Sequence, residues 1–424
     1  MRILHVVHQY LPEYVGGTEL YAQTIARFQQ QKLGHDVGIF FPSIAPMAGE
    51  LVRTGNDAGV TTYAVPLGPR SRRDVFLSLW RQPAAAEAFA TVLERARPDV
   101  VHVQHLMGLP AAVVRQIQEA QIPLVITLHD YWFPCANGQL VTNYDETICA
   151  GPSLWLNCAR CALARGGFGD GPVLSAPLAP LLAHRSYLLR KVLARAQAII
   201  APNRFVYDVY QKLGMPMGNA VVIPHGIEVP ERVLASPARP PRPAGEPLNI
   251  VYVGSLSRQK GVHVLVEAMN GLPAGATRLT LYGDLDKFPA YVAALRRQAK
   301  HPGITFAGRV ERDDLWSILL AEADVAVLPT LWYEASPLTI QELFAARVPI
   351  VASAIGALPA MIRDGVDGLL FPPGDAAALQ AVLTRLIAEP ALLDQLRAEI
   401  RPTRLVAEHV ADVMAVYERI LSAR

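Results

Sequence analysis

The chain has no uninterrupted apolar run near the ~18 residues needed to cross a bilayer as a helix, although 51% of its 424 residues are hydrophobic. Its first residues, Met1-Arg2-Ile3-Leu4-His5-Val6-Val7, enter a strand-like run at once and carry no signal-peptide pattern. A soluble or peripheral cytoplasmic protein is the expectation. Excess charge of either sign is also missing. Lys and Arg total 39 against 37 Asp and Glu, a net charge of +2, so bulk charge makes no case for nucleic acid as a partner. Tandem repeats are absent. Cysteine is scarce, and all four residues, Cys135, Cys149, Cys158 and Cys161, fall in one segment. Four thiols ending in a CxxC pair suit a closed structural zinc site with no open position for catalysis. Two disulfides or four free thiols are the alternatives.

What the chain does have is alternation. Strand-like runs at 2–8, 35–41, 61–65, 100–102, 124–127 and 198–203 are mostly separated by helical stretches such as 19–32, 84–96 and 111–118. That order predicts a doubly wound parallel sheet, with 198–203 as its last strand. Prolines then thicken from Pro230 to Pro247 and predict a stiff linker. A second series of strands follows at 249–253, 279–283, 304–310, 325–328 and 348–352. The length suits two domains of ordinary size.

The stretch 323–353 organises the second series. Val325–Leu328 is apolar and ends at Pro329; Ser336-Pro337 then offers an N-cap serine and a proline at the first helical position. The helix is expected to reach about Ala346, before the strand Val348–Ala352. Its first amides, at Leu338 and Thr339, aim at the loop that follows the strand, which is a place for phosphate. Glu334 lies in that loop. Glu342 lies in the helix, roughly 7 Å beyond Pro337, within reach of a ribose. Singly, such acids are ordinary solvated side chains; the spacing and the context together are specific.

Here the chain resembles the retaining family-four glycosyltransferases of the GT-B fold. The likeness rests on Glu334-Ala-Ser-Pro-Leu-Thr-Ile-Gln-Glu342 and the Val348-Pro349-Ile350-Val351-Ala352 strand, extends over nearly the whole chain, and is most specific from 249 to 375. It implies an α/β architecture of two Rossmann-like parallel-sheet domains facing each other across a cleft. The first spans 1–228 with a cysteine-bearing insertion at about 132–175, the second 248–405, with 229–247 as linker and 406–424 as a helix packing back on the first. It also implies a nucleotide-diphosphate sugar donor, a hydroxyl acceptor on a polysaccharide or lipid-linked glycan, and no cofactor for catalysis.

Site roles follow from the same resemblance. Gly16 and Gly17 face the cleft, and His129 contacts the donor sugar, while His102 and His105 are read as mainly packing or cleft-lining. The loop Gly254-Ser255 to Lys260 holds the diphosphate together with Ser336, Pro337, Leu338 and Thr339. The loop at Val310 takes the base, Glu342 the ribose, and Glu334 the sugar. One departure stands out: Ser255 replaces the family's arginine, with Arg258 near enough in sequence to compensate. An epimerase or hydrolase on the same fold, and a non-catalytic nucleotide-sugar-binding scaffold, are the rival readings. Ser255 favours the scaffold; Glu334, Glu342 and Lys260 oppose it. The basic and apolar segment 69–82, and secondarily His184–Arg195, suit either an anionic lipid surface or a solvated helix.

Overall fold

The computed structural model describes residues 1–423 except 47, 48, 170, 172–174, 238 and 244. The chain divides into two compact units, Met1–Gly226 with Leu405–Arg424, and Ile227–Arg404.

The first unit is built on an eight-stranded sheet of β1 (Arg2–Val6), β2 (Asp36–Ser43), β3 (Arg53–Asp57), β4 (Val60–Pro66), β5 (Val100–Val103), β6 (Leu124–Thr127), β7 (Ala198–Ala201) and β8 (Ala220–Val222). Their order is β3-β4-β2-β1-β5-β6-β7-β8. Strands β5, β6 and β7 are buried at every residue, which is why they read as continuous apolar runs rather than alternating ones. Both edges escaped the sequence reading. Strand β3 is polar and pairs antiparallel with β4, while β8 is three residues long and displaces β7 as the last strand. Strand β3 has no buried face to leave a hydrophobic pattern, and β8, Ala220-Val221-Val222, is apolar but only three residues long.

The final helix, Val406–Ser422, belongs to this unit. Its Val410, Val413, Met414 and Tyr417 share one core with Tyr21, Ala22 and Ile25 of the helix Gly17–Gln31.

The second unit carries β9 (Leu248–Val253), β10 (Thr277–Tyr282), β11 (Ile304–Gly308), β12 (Val325–Leu328), β13 (Ile350–Ser353) and β14 (Gly368–Phe371). All pair in parallel, in the order β11-β10-β9-β12-β13-β14. One apolar layer lies on each face of the sheet. The proline-thick stretch belongs with this unit: Val233 is buried with Ile227 and Trp316, and Arg242 donates to the carbonyls of Leu386 and Ile387. Among the described residues no single helix is long and apolar enough to cross a membrane. The bent pair Ala376–Ala388 and Pro390–Ala398 reaches that hydrophobicity only jointly, and its Leu379, Leu383, Leu386, Leu392, Leu393 and Leu396 fill the core.

Chain direction across each sheet reverses at one point, between β1 and β5 in the first and between β9 and β12 in the second. Loops leaving the carboxyl ends of strands at such points are where ligands of parallel sheets bind.

Candidate functional site

In the second unit, two loops meet at the switch point. The loop after β9 holds Gly254 and Ser255, then a short 3-10 turn Arg258–Lys260. The loop after β12 runs from Pro329 to Pro337. They are pressed together at Gly261, where a Cβ would stand 1.9 Å from the Pro329 carbonyl oxygen, and the φ of +68° already disfavours any other residue. Leu331 N–H donates to the Gln259 carbonyl at 2.8 Å.

This contact brings Lys260 to Glu334. Lys260 Nζ lies 2.6 Å from Glu334 Oε1, which also accepts from Trp332 Nε1 at 2.7 Å and Thr330 Oγ1 at 3.3 Å. Oε1 is therefore saturated, while Oε2 receives no hydrogen bond among the described residues. The carboxylate is buried, and the lysine side chain is 30% exposed.

The helix begins one residue later than the serine-proline pair suggests. Pro337, with ψ of 114°, is outside the helix as its cap, and Leu338 is the first helical residue. Pro337, as N-cap, makes no side-chain capping bond. Leu338 and Thr339 thus occupy the first turn, with Glu342 half-buried in the next. Ser255 is half-buried, its carbonyl accepting from Tyr252 Oη at 2.7 Å. Arg258 is exposed, and Val310 packs partly on the second apolar layer just beyond β11.

In the first unit, His129 follows β6 and Gly16-Gly17 open the helix after β1. Gly16 has a spatial reason: a Cβ there would lie 2.6 Å from Glu19 Oε2. Gly17 meets nothing within 4 Å, so space does not demand glycine there. His129 Nε2 lies 2.9 Å from Gln104 Oε1, and Tyr21 meets the ring edge-on at 4.7 Å. Burial, then the neighbouring His105, drives His129 down to about 3, so the ring is neutral. Burial works to raise Asp130, but His105 and the Trp132 N–H outweigh it and hold that carboxyl below its usual range. His102 is buried between Tyr417 Oη at 2.5 Å and Thr127 Oγ1 at 2.7 Å.

Sequence reasoning missed Glu19, His8 and Gln104. Glu19 is 2% exposed and its Oε1 lies 3.5 Å from His8 Nε2. An acid and a histidine eleven residues from it in different elements have no common local signature. A cavity of about 80 Å³ is lined by His8, Gln9, Tyr14, Ser43, Arg70 and Met107. Arg70, from the basic segment 69–82, is spent here, donating to the Gly108 carbonyl at 2.7 Å.

The four cysteines are half-buried and unbridged, and burial followed by the neighbouring thiols pushes Cys158 up to about 12. Asn137 bridges two of them, its Oδ1 accepting from Cys135 Sγ and its Nδ2 donating to Cys161 Sγ at 3.5 Å, while Asn143 also donates to Cys161 and the Gly151 N–H to Cys149. Among the described residues no three His, Cys, Asp or Glu side chains stand where they could share a metal ion. The zinc site that the spacing suggested is not shown by this arrangement.

The family assignment rests on matches over both units. Residues 15–230 match the model described as Glycosyltransferase Family 4, and residues 247–389 the one described as Glycosyl transferases group 1. The chain belongs to glycosyltransferase family 4. This glycosyltransferase is 26% identical to the glycogen synthase of Mycobacterium tuberculosis over 96% of its own length and 91% of the relative's. Its fold matches sucrose-phosphate synthase from Thermosynechococcus elongatus with a TM-score of 0.71 at 21% identity, covering 100% of this chain and 99% of that one. HepE of Anabaena, solved with UDP and glucose, matches with a TM-score of 0.63 at 18% identity over 100% and 99% of the two chains. The two parallel-sheet α/β domains are thus those of the GT-B fold.

Proposed function

We propose that this glycosyltransferase transfers a sugar, with retention of anomeric configuration, from a nucleotide-diphosphate sugar to a hydroxyl acceptor in polysaccharide or lipid-linked glycan synthesis. The observation that carries the reading is the meeting of Lys260 and Glu334 at the β9/β12 switch point, beside an uncapped helix start. Lys260 and the Leu338 and Thr339 amides supply positive charge for the leaving diphosphate, so no divalent ion is required for that step. Entry of the diphosphate draws the ammonium from Glu334, whose Oε2 then accepts a sugar hydroxyl. Glu342 holds the ribose and His129 orients the transferred sugar. Phosphate oxygen takes the acceptor's proton on the face from which it departs. HepE with its UDP, and the glycogen synthase with its glucan product class, support a nucleotide donor and a polysaccharide acceptor.

The acceptor side is drawn to the cavity by His8, Tyr14, Ser43 and Arg70. Exposed Arg72, Arg73 and Arg81 on the same segment support peripheral contact with anionic lipid at the cytoplasmic face.

The test is a thermal-shift titration with nucleoside diphosphates and nucleotide sugars in EDTA, followed by NMR of the product anomer. One nucleotide sugar is expected to raise the melting temperature selectively and to give a product of the donor's configuration. An inverted product removes the retaining mechanism. Donor consumption without acceptor points instead to a hydrolase or epimerase.

A further inference from the structure

His129 ends a line of buried polar side chains. Its Nε2 meets Gln104 Oε1 at 2.9 Å, and Gln104 Nε2 meets His5 Nδ1 at 3.0 Å. His5 Nε2 meets Gln29 Oε1 at 2.8 Å, and Gln29 Nε2 reaches Met414 Sδ at 3.7 Å. Gln104, His5 and Gln29 are all fully buried.

The far end settles the direction of every bond. A thioether has no proton to give, so Gln29 turns its NH₂ to Met414 and its oxygen to His5. His5 therefore donates from Nε2, and burial keeps its ring neutral, down to about 4, so its Nδ1 is a bare acceptor. Gln104 must then present NH₂ to His5 and oxygen to His129. His129, also neutral, carries its proton on Nε2 and leaves Nδ1 as a lone pair that receives no hydrogen bond among the described residues.

We infer that Gln104 is a positioning residue that holds His129 as the Nε2–H tautomer, through a relay anchored on Met414 of the final helix. This rests on the proposed role of His129 toward the transferred sugar, and it deepens that role. A bare Nδ1 accepts a hydrogen bond from a hydroxyl and repels a phosphate or carboxylate oxygen. The group His129 contacts is therefore a free sugar hydroxyl, and a donor deoxygenated at that carbon is a poor substrate.

The test uses the full chain labelled with ¹⁵N-histidine. Two-bond ¹⁵N–¹H correlations, assigned through His129→Ala, report which nitrogen carries the proton. The parent is expected to show the Nε2–H form alone. Gln104→Leu, which cannot bond His129, should give a mixture of tautomers and lower kcat about tenfold with little change in nucleotide-diphosphate affinity. Gln104→Glu, buried and so held as the neutral acid, can give its O–H to His5 and accept from His129 with its carbonyl oxygen, and should restore both the Nε2–H signal and turnover. A Nδ1–H or mixed signal in the parent, or an unchanged signal in Gln104→Leu, overturns the inference. If His129→Ala turns over like the parent, the sugar-contact reading fails by itself, and the tautomer spectra still decide whether Gln104 sets the ring.

Discussion

Glu334 Oε1 receives three donors, from Lys260, Trp332 and Thr330, and this crowding makes the loop after β12 sensitive to single side chains. Ser255 is half-buried in the loop after β9 and carries no charge. Supplying a cation by Ser255→Arg should tighten nucleoside-diphosphate binding about tenfold, since a hydrogen bond to a charged group contributes roughly 1.5–3 kcal/mol. Isothermal titration would measure it, and an unchanged Kd would mean that position 255 does not reach the phosphates. Gly261 is the opposite case, a residue with no freedom to vary. Gly261→Ala forces a methyl group into the Pro329 carbonyl and should destabilise the second unit by roughly 2–4 kcal/mol, read as a lower urea midpoint. A midpoint equal to the parent's would show that the two loops can part without cost. The acids and Lys260 were legible in the sequence because their spacing is local. The ion pair between Lys260 and Glu334 was not, because they are far apart in sequence and meet only through the packing at Gly261.

Elements differ in how much of themselves they announce. Strands β5, β6 and β7 were legible because they are buried on both faces, whereas β3 is a polar edge strand and β8, though apolar, is a three-residue edge strand. The helix start at Pro337 was readable to within one residue, since proline halts the preceding strand but its own ψ decides whether the helix includes it. The final helix places Val406, Val410, Val413 and Tyr417 on one stripe, at spacings of three and four. Val413 is fully buried in the core shared with the helix Gly17–Gln31. Val413→Ala should cost roughly 2 kcal/mol, seen as a lower melting temperature. No loss of stability would mean that the helix is not part of the first unit's cooperative core.

At the scale of the molecule, the first unit stores acid sensitivity. Burial holds His5 at about 4 and His129 at about 3, and keeps His8 and His102 well below their ordinary value. In the unfolded chain each titrates near 6.5. The unfolded state therefore binds protons that the folded state refuses, and stability is complete above about pH 6.5 and declines as pH falls through the window toward about 4. For His5 alone the loss is on the order of 3 kcal/mol. Hydrogen exchange at β1 and β5 amides, corrected for intrinsic rate, should show weaker protection at pH 5 than at pH 7.5. Equal protection would mean that these rings are not held neutral.

The sequence by itself determined the parallel α/β class, the two series of strands, the helix start after β12 and the pair of glutamates that flank it. Each of these is a local pattern, set by periodicity, by proline or by spacing along one element. Only the tertiary structure decided that Lys260 pairs with Glu334, that Asn137 meets both Cys135 and Cys161, and that His129, Gln104, His5, Gln29 and Met414 stand in one buried line. Those outcomes depend on which strands become neighbours at a switch point, and on which buried donor has a neighbour that can only accept. Neither is written in any single stretch of chain.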